Sequence, residues 1–260
     1  MENEPVRLVR VSGEGRRIPA YAILKDDQLY AWRSSGQPGR LLGPLNSFTL
    51  LSPICPSKVI CVGRNYAAHA AEHDAQVPEE PLLFLKPPSS VIGPDALILY
   101  PATLSKQVEH EAELAIVIKK RCRDVAPEHA WEHVLGVTCA NDVTARDLQR
   151  KDGQWTRAKG FDTFCPLGPW VVVGLSEAEV ADLAITCTVN GGVRQNDCTS
   201  SMVFSPAQLI AYASSVMTLR SEERRVGKEW RSGGPLKPGD QVEVSIEKIG
   251  TLSNLVALRT

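Results

Sequence analysis

Glu111-Ala112-Glu113-Leu114-Ala115-Ile116-Val117-Ile118 reads as an apolar strand that starts on two carboxylates. Residues i and i+2 of a strand point to one face, so Glu111 and Glu113 converge, with Glu109 placed to lie beside them. Like charges at close range raise each other's pKa, and burying them unpaired is costly. A hard divalent cation removes the conflict, and all-oxygen ligation suits Mg²⁺, Mn²⁺ or Ca²⁺. The other reading is an exposed edge strand with solvated carboxylates.

Working outward, short strands are expected over 5–11, 18–24 and 28–32, forming a small N-terminal β domain over residues 1–52. A stretch holding Pro44, Pro53 and Pro56 reads as a linker. A larger unit, 57–260, opens on the apolar strand 59–63. Residues 66–74 read as one or two helical turns, and 78–94, with five prolines, as an extended loop. Further strands are expected over 96–100, 111–118, 137–140, 170–173, 185–189 and 241–246. Helices are expected over 127–134 and 205–217, each with a proline near its start. Many strands and few helices give a β-rich α+β class, not a doubly wound sheet. No internal repeat is present.

Lys+Arg is 29 and Asp+Glu is 30, so no global field exists to hold nucleic acid or an anionic membrane. A chain of 28.4 kDa buries about 70% of its unfolded surface, enough for a core without staples. Seven cysteines, an odd number with no Cys-x-x-Cys, indicate neither a disulfide framework nor a zinc ribbon. The acidic start, Met1-Glu2-Asn3-Glu4-Pro5, lacks signal-peptide features, and no apolar run has membrane-span length; a cytoplasmic protein is expected.

Asp142 follows the apolar stretch 137–140, where a strand end delivers it into a site or a turn simply uses it as a cap. Asp147 beside Arg146 reads as a structural ion pair. His69 and Glu72 share a helical face, as an acid/base dyad able to deprotonate water or as a surface pair. Lys159 is either a point charge for a substrate carboxylate or a solvated lysine. Cys61 and Cys165, in apolar surroundings, read as buried structural thiols rather than nucleophiles. No nucleotide-binding glycine loop occurs.

The motifs also stand in a telling order. Gly-Arg-Asn-Tyr-x-x-His-x-x-Glu spans 63–72, followed by Phe84-Leu85-Lys86-Pro87-Pro88 and by Glu-x-Glu-Leu at 111–114. Asn-Asp-Val-Thr-Ala-Arg-Asp at 141–147, Lys-x-x-Asp-Thr-Phe-Cys-Pro-Leu-Gly-Pro at 159–169 and Val-Asn-Gly at 189–191 complete the set. Together they resemble the fumarylacetoacetate hydrolase family, in its short bacterial branch of acylpyruvate hydrolases and hydroxymuconate-type isomerases. The resemblance implies a mixed β-sandwich roll and a homodimer. It implies Mg²⁺ or Mn²⁺ held by Glu111, Glu113 and Asp142, with His69 and Glu72 as base dyad and Lys159 beside the metal. It implies Arg64, Tyr66, Gln149 and Lys159 as contacts to a small 2-oxo acid. The implied activity is hydrolysis of C–C bonds in acylpyruvates or related β-diketo acids through a metal-stabilised enolate. Isomerisation of hydroxymuconate-type dienes and decarboxylation of oxaloacetate share that logic.

The sequence departs from the family in three places. Residues 220–234 stand where the family has a buried strand and a Thr-Gly-Thr-Pro substrate loop. The segment 221–232 carries seven charges in twelve residues and resembles translated sequencing-adapter read-through. It is expected to be the least ordered internal segment, and the missing substrate loop leaves an inactive metal-binding homologue as a further alternative. Lys119 and Lys248 stand where glycine is common, which predicts strained turns.

Overall fold

The computed structural model describes residues 4–13, 19–33, 36–63, 65, 79–221 and 234–259, and the backbone of 224–227. The strands in chain order are β1 (Val6–Ser12), β2 (Ala20–Lys25), β3 (Gln28–Trp32), β4 (Pro38–Pro44), β5 (Thr49–Leu51), β6 (Val59–Gly63), β7 (Leu82–Lys86), β8 (Val91–Ile92), β9 (Ile98–Tyr100) and β10 (Val108–Glu109). They continue as β11 (Ala112–Ile118), β12 (Val134–Asn141), β13 (Thr144–Ala145), β14 (Cys165–Val173), β15 (Ala184–Val189), β16 (Gly192–Cys198), β17 (Arg224–Gly227), β18 (Gln241–Ile246) and β19 (Gly250–Leu258). The α-helices among the described residues are α1 (Arg146–Asp152), α2 (Thr156–Lys159), α3 (Glu177–Val180) and α4 (Pro206–Val216).

The larger sheet runs β4-β3-β2-β1-β14-β12-β11-β17-β6-β7, with β5 on β1 and β8 on β14. The N-terminal strands thus extend the same sheet, through antiparallel pairing of Val6–Leu8 with 171–173 of β14. A five-stranded sheet, β16-β15-β18-β19-β9, packs against it. All seven residues of β11 are buried. Leu114, Ile116 and Ile118 join the core shared with Ile185, Val244 and Leu252 of the second sheet, while Ala115 and Val117 pack on the opposite face with Leu8, Val59 and Leu167. A strand covered on both faces has no polar side to show, hence its unbroken apolar run.

α4 follows the expected helix closely. Ser205 is its N-cap in a reciprocal capping box with Gln208, and Pro206 occupies the first turn, where its missing N–H costs nothing. The β15–β16 hairpin turns at Asn190 and Gly191, both at positive φ, which an Asn-Gly pair accepts readily.

Several expectations are corrected. The helix expected over 127–134 is present, as a 3-10 helix, Pro127–His133. The proline-rich 78–94 holds strand β7, because Pro81 and Pro87 flank the strand instead of interrupting it and β7 lies at the sheet edge. The linker region begins at the end of β4 and contains β5. Lys248 does adopt a left-handed conformation, φ 60°, whereas Lys119 is not among the positive-φ residues. Within 221–232, Arg224–Gly227 forms β17, antiparallel to β11 and parallel to β6. Ladder bonds use backbone groups alone, so a sequence without apolar alternation can still supply a strand. The remainder of that segment, apart from Ser221, lies outside the described residues, as does the helical expectation over 66–74. Among the described residues no helix is long and apolar enough to cross a membrane.

Candidate active site

The ends of β11 and β12 meet the end of α2 and the end of β7. Antiparallel register pairs Ala112 with Asn141 and Glu113 with Ala140. Asp142 N–H donates to the Glu111 carbonyl (2.9 Å), and Glu111 N–H donates to Asn141 Oδ1 (3.0 Å). This crossing places Glu111, Glu113 and Asp142 so that one oxygen of each lies within 4.8 Å of the others, all buried.

Two buried lysines close on them. Lys159, fully buried, donates to both Glu111 oxygens (3.1 and 3.0 Å), to Asp142 Oδ2 (2.7 Å) and to Thr144 Oγ1 (2.9 Å). Lys86, from β7, pairs with Asp142 Oδ1 and donates to the Val143 carbonyl (3.0 Å). Arg146, at the start of α1, reaches Glu111 (2.5 Å) and Glu109 (3.0 Å) and donates to Gln149 Oε1 (2.9 Å). Phe84 and Trp155 stand edge to face, 5.2 Å between ring centroids, with Lys159 Nζ 5.0 and 5.9 Å from their centres. Gly63 allows this: a Cβ there would lie 2.8 Å from Trp155.

The charges are unequally matched. Burial raises the Asp142 pKa, but Lys159 and Lys86 outweigh it and hold the carboxyl below its usual range. Burial, then the charges of Asp142 and Glu111, push Glu113 well above the usual range, against the opposing pull of both lysines. Glu113 Oε2 is buried without a hydrogen-bond partner among the described residues. An orphaned carboxylate oxygen beside two paired ones, in an all-oxygen set, fits a hard divalent cation. Glu111, Glu113 and Asp142 would hold it.

Lys159 therefore lies inside the acid cluster, not in solvent. Gln149, half-buried on α1, is tied to the cluster through Arg146. Glu109 lies apart from the three converging oxygens, paired with Arg146 and Gln107. The expected Arg146–Asp147 pairing is corrected: Arg146 turns to Glu111 and Glu109, while Asp147 accepts from Ser105 Oγ (2.6 Å) and Lys106 N–H (2.9 Å). Cys61 and Cys165 are buried. Burial, then the charges of Asp142 and Glu113, push the Cys61 thiol up, so it stays protonated and is no nucleophile. Arg64, Tyr66, His69 and Glu72 lie outside the described residues. Sequence reasoning gave no role to Lys86, Thr144 or Asn141; a lysine ending an apolar run between prolines was the available signal for the first.

Residues 58–257 match the family described as fumarylacetoacetate (FAA) hydrolase C-terminal. The chain belongs to the fumarylacetoacetate hydrolase family. A relative within reach of it by sequence is the mitochondrial oxaloacetate tautomerase fahd2 of Xenopus laevis, 42% identical over 226 residues, which cover 81% of this chain and 69% of that protein. The structure of 5-carboxymethyl-2-hydroxymuconate delta-isomerase from Mycobacterium smegmatis superposes with a TM-score of 0.88 at 43% identity, covering 98% of this chain and 99% of the other. Maleylpyruvate hydrolase from Sphingobium sp. SYK-6, in complex with manganese(II) ion and pyruvate, gives a TM-score of 0.80 at 28% identity, covering 98% and 100%. Fumarylacetoacetate hydrolase relatives thus include a hydrolase, an isomerase and a tautomerase.

Proposed function

We propose that this chain is a divalent-metal-dependent hydrolase cleaving C–C bonds of acylpyruvates or related β-diketo acids through an enolate. The observation that carries the reading is the pairing of two fully buried lysines with three converging carboxylates, one of which keeps an unpartnered oxygen. Bound Mg²⁺ or Mn²⁺ would supply Lewis-acid polarisation of the substrate's 2-oxo group. Lys159 and Lys86 place positive charge where negative charge develops on that oxygen as the C–C bond breaks, at a site whose burial strengthens the interaction. His69, oriented by Glu72, takes the proton of the attacking water. Arg64, Tyr66 and Gln149 hold the substrate's polar groups. The active species on this reading is a homodimer with a small 2-oxo acid as its partner and neither nucleic acid nor membrane.

A second reading, isomerisation or tautomerisation of the same class of acid, is favoured by the 42–43% identity to a tautomerase and an isomerase. It uses the same enolate and needs no water. The test is a panel of acetylpyruvate, fumarylpyruvate and oxaloacetate with Mg²⁺ or Mn²⁺ and with chelator. Metal-dependent release of pyruvate from the first two supports hydrolysis. Faster enol–keto conversion of oxaloacetate without pyruvate release supports the second reading. No metal-dependent turnover of any of the three would overturn both. Replacing His69 by Ala should cost hydrolysis orders of magnitude while leaving metal affinity unchanged.

A further inference from the structure

Ala112 lies between the two glutamates, and its backbone is held from the other sheet. On one side Ala112 registers with Asn141 of β12. On the other, among the described residues, the ladder between β11 and β17 runs from Leu114 to Val117. Ala112 is 1% exposed, so its N–H needs an acceptor. Gln195 of β16 supplies one: its Oε1 accepts the Ala112 N–H at 2.8 Å, from a side chain that is itself buried. The preceding N–H, of Glu111, is received by Asn141 Oδ1 at 3.0 Å. Two consecutive donors at the head of β11 are thus taken by side-chain amide oxygens, one from within the larger sheet and one from the facing hairpin.

We propose that Gln195 is a positioning residue of the metal site, fixing the peptide from which Glu111 and Glu113 diverge and so their spacing to Asp142. The proposal rests on the metal reading above. Asp142 hangs from the carbonyl of the same peptide through its own N–H bond, and its carboxylate is held by Lys86 and Lys159. Glu111 has side-chain anchors in Lys159, Arg146 and Thr144. Glu113 Oε2 has none among the described residues, so the backbone at Ala112 weighs most on where that oxygen is presented. Metal–oxygen distances tolerate errors of only about 0.2 Å, so a small shift of this peptide is felt in affinity.

The experiment is Mn²⁺ titration calorimetry on the full chain, wild type first. Gln195→Met keeps the length and removes the acceptor; its Mn²⁺ affinity should fall about 10–100-fold, the usual cost of losing an outer-shell partner. Gln195→Glu, which keeps an acceptor at the same reach but adds a buried acid, should lose clearly less affinity than Gln195→Met. Leu24→Ala, a core truncation in β2, should lower the melting temperature and leave Mn²⁺ affinity unchanged, separating positioning from general destabilisation. If Gln195→Met does not fold, Gln195→Asn, which withdraws the amide by one methylene, should show the same loss. Wild-type affinity in a folded Met or Asn variant overturns the proposal alone, as does an equal loss in the Glu and Met variants. No Mn²⁺ binding by wild type overturns the metal reading and the proposal with it.

Discussion

Lys159→Met should leave a folded but clearly weakened protein whose lost stability a divalent cation restores. Lys159 and both its acidic partners are essentially without solvent, 0% exposed for Lys159 and Glu111 and 1% for Asp142, so solvent screening gives no discount. Removing one member of a buried ion pair costs about 3–5 kcal/mol. Here each acid keeps a second cation, Arg146 on Glu111 and Lys86 on Asp142, which puts the expected loss at the low end, about 3 kcal/mol. For a chain of this size that lowers the melting temperature by roughly 6–12 °C. Cation at 100 times its Kd stabilises a folded protein by about 2.7 kcal/mol, and at equal cation concentration the gain should be larger in the variant, because the cation takes the place of the missing ammonium and binds with a lower Kd. Differential scanning calorimetry with and without Mg²⁺ measures both quantities. A variant melting within about 2 °C of wild type, which is less than 1 kcal/mol, would show that Lys159 does not neutralise the acids.

Glu113→Gln should stabilise the metal-free protein while abolishing metal binding. Because the folded-state pKa of Glu113 is raised above 4.5, its contribution is intact below that value and is lost as pH rises toward the folded pKa; the advantage of the variant should therefore be absent in acid and grow above the ordinary carboxylate range, as urea titrations across pH would read. Gly63→Ala drives a Cβ to 2.8 Å from Trp155 and should cost about 1–3 kcal/mol with a changed tryptophan emission; an unchanged spectrum and melting point refute the contact. Lys248→Gly removes a left-handed lysine and should raise stability by about 0.5–1 kcal/mol, the exposed pair with Glu179 being worth little.

The strands legible in the sequence were those whose burial follows one simple pattern. β11 and β6 carry unbroken apolar runs because both of their faces are covered, and β18 alternates because one is. β19 escaped because its alternation is broken by Asn254, a buried amide whose Nδ2 is satisfied by the carbonyls of Gly93 and Ala96. β16 escaped because it is almost wholly polar and exposed, with Gln195 as its buried exception. In the site, the meeting of Glu111 with Glu113 follows from strand periodicity, and Asp142 from its place at a strand end. The cations do not follow from local pattern. Lys86 reaches Asp142 across 56 positions of chain, and Arg146 selects Glu111 over its neighbour Asp147, choices that only tertiary geometry makes.

β17 has a consequence for the order of assembly. It is the strand that joins β6 and β7, which carry Lys86, to β11, which carries Glu113. During synthesis the acids can pair through β11 and β12 as soon as residue 142 has emerged, but the sheet that holds Lys86 beside them cannot close until residue 227 has been added. At about 5–20 residues per second that gap lasts seconds, during which the acid cluster lacks one of its two lysines. The nascent chain should therefore hold the acids of β11 and β12 open to solvent until late, and the strand that joins β6 and β7 to them is the last of the larger sheet to be made.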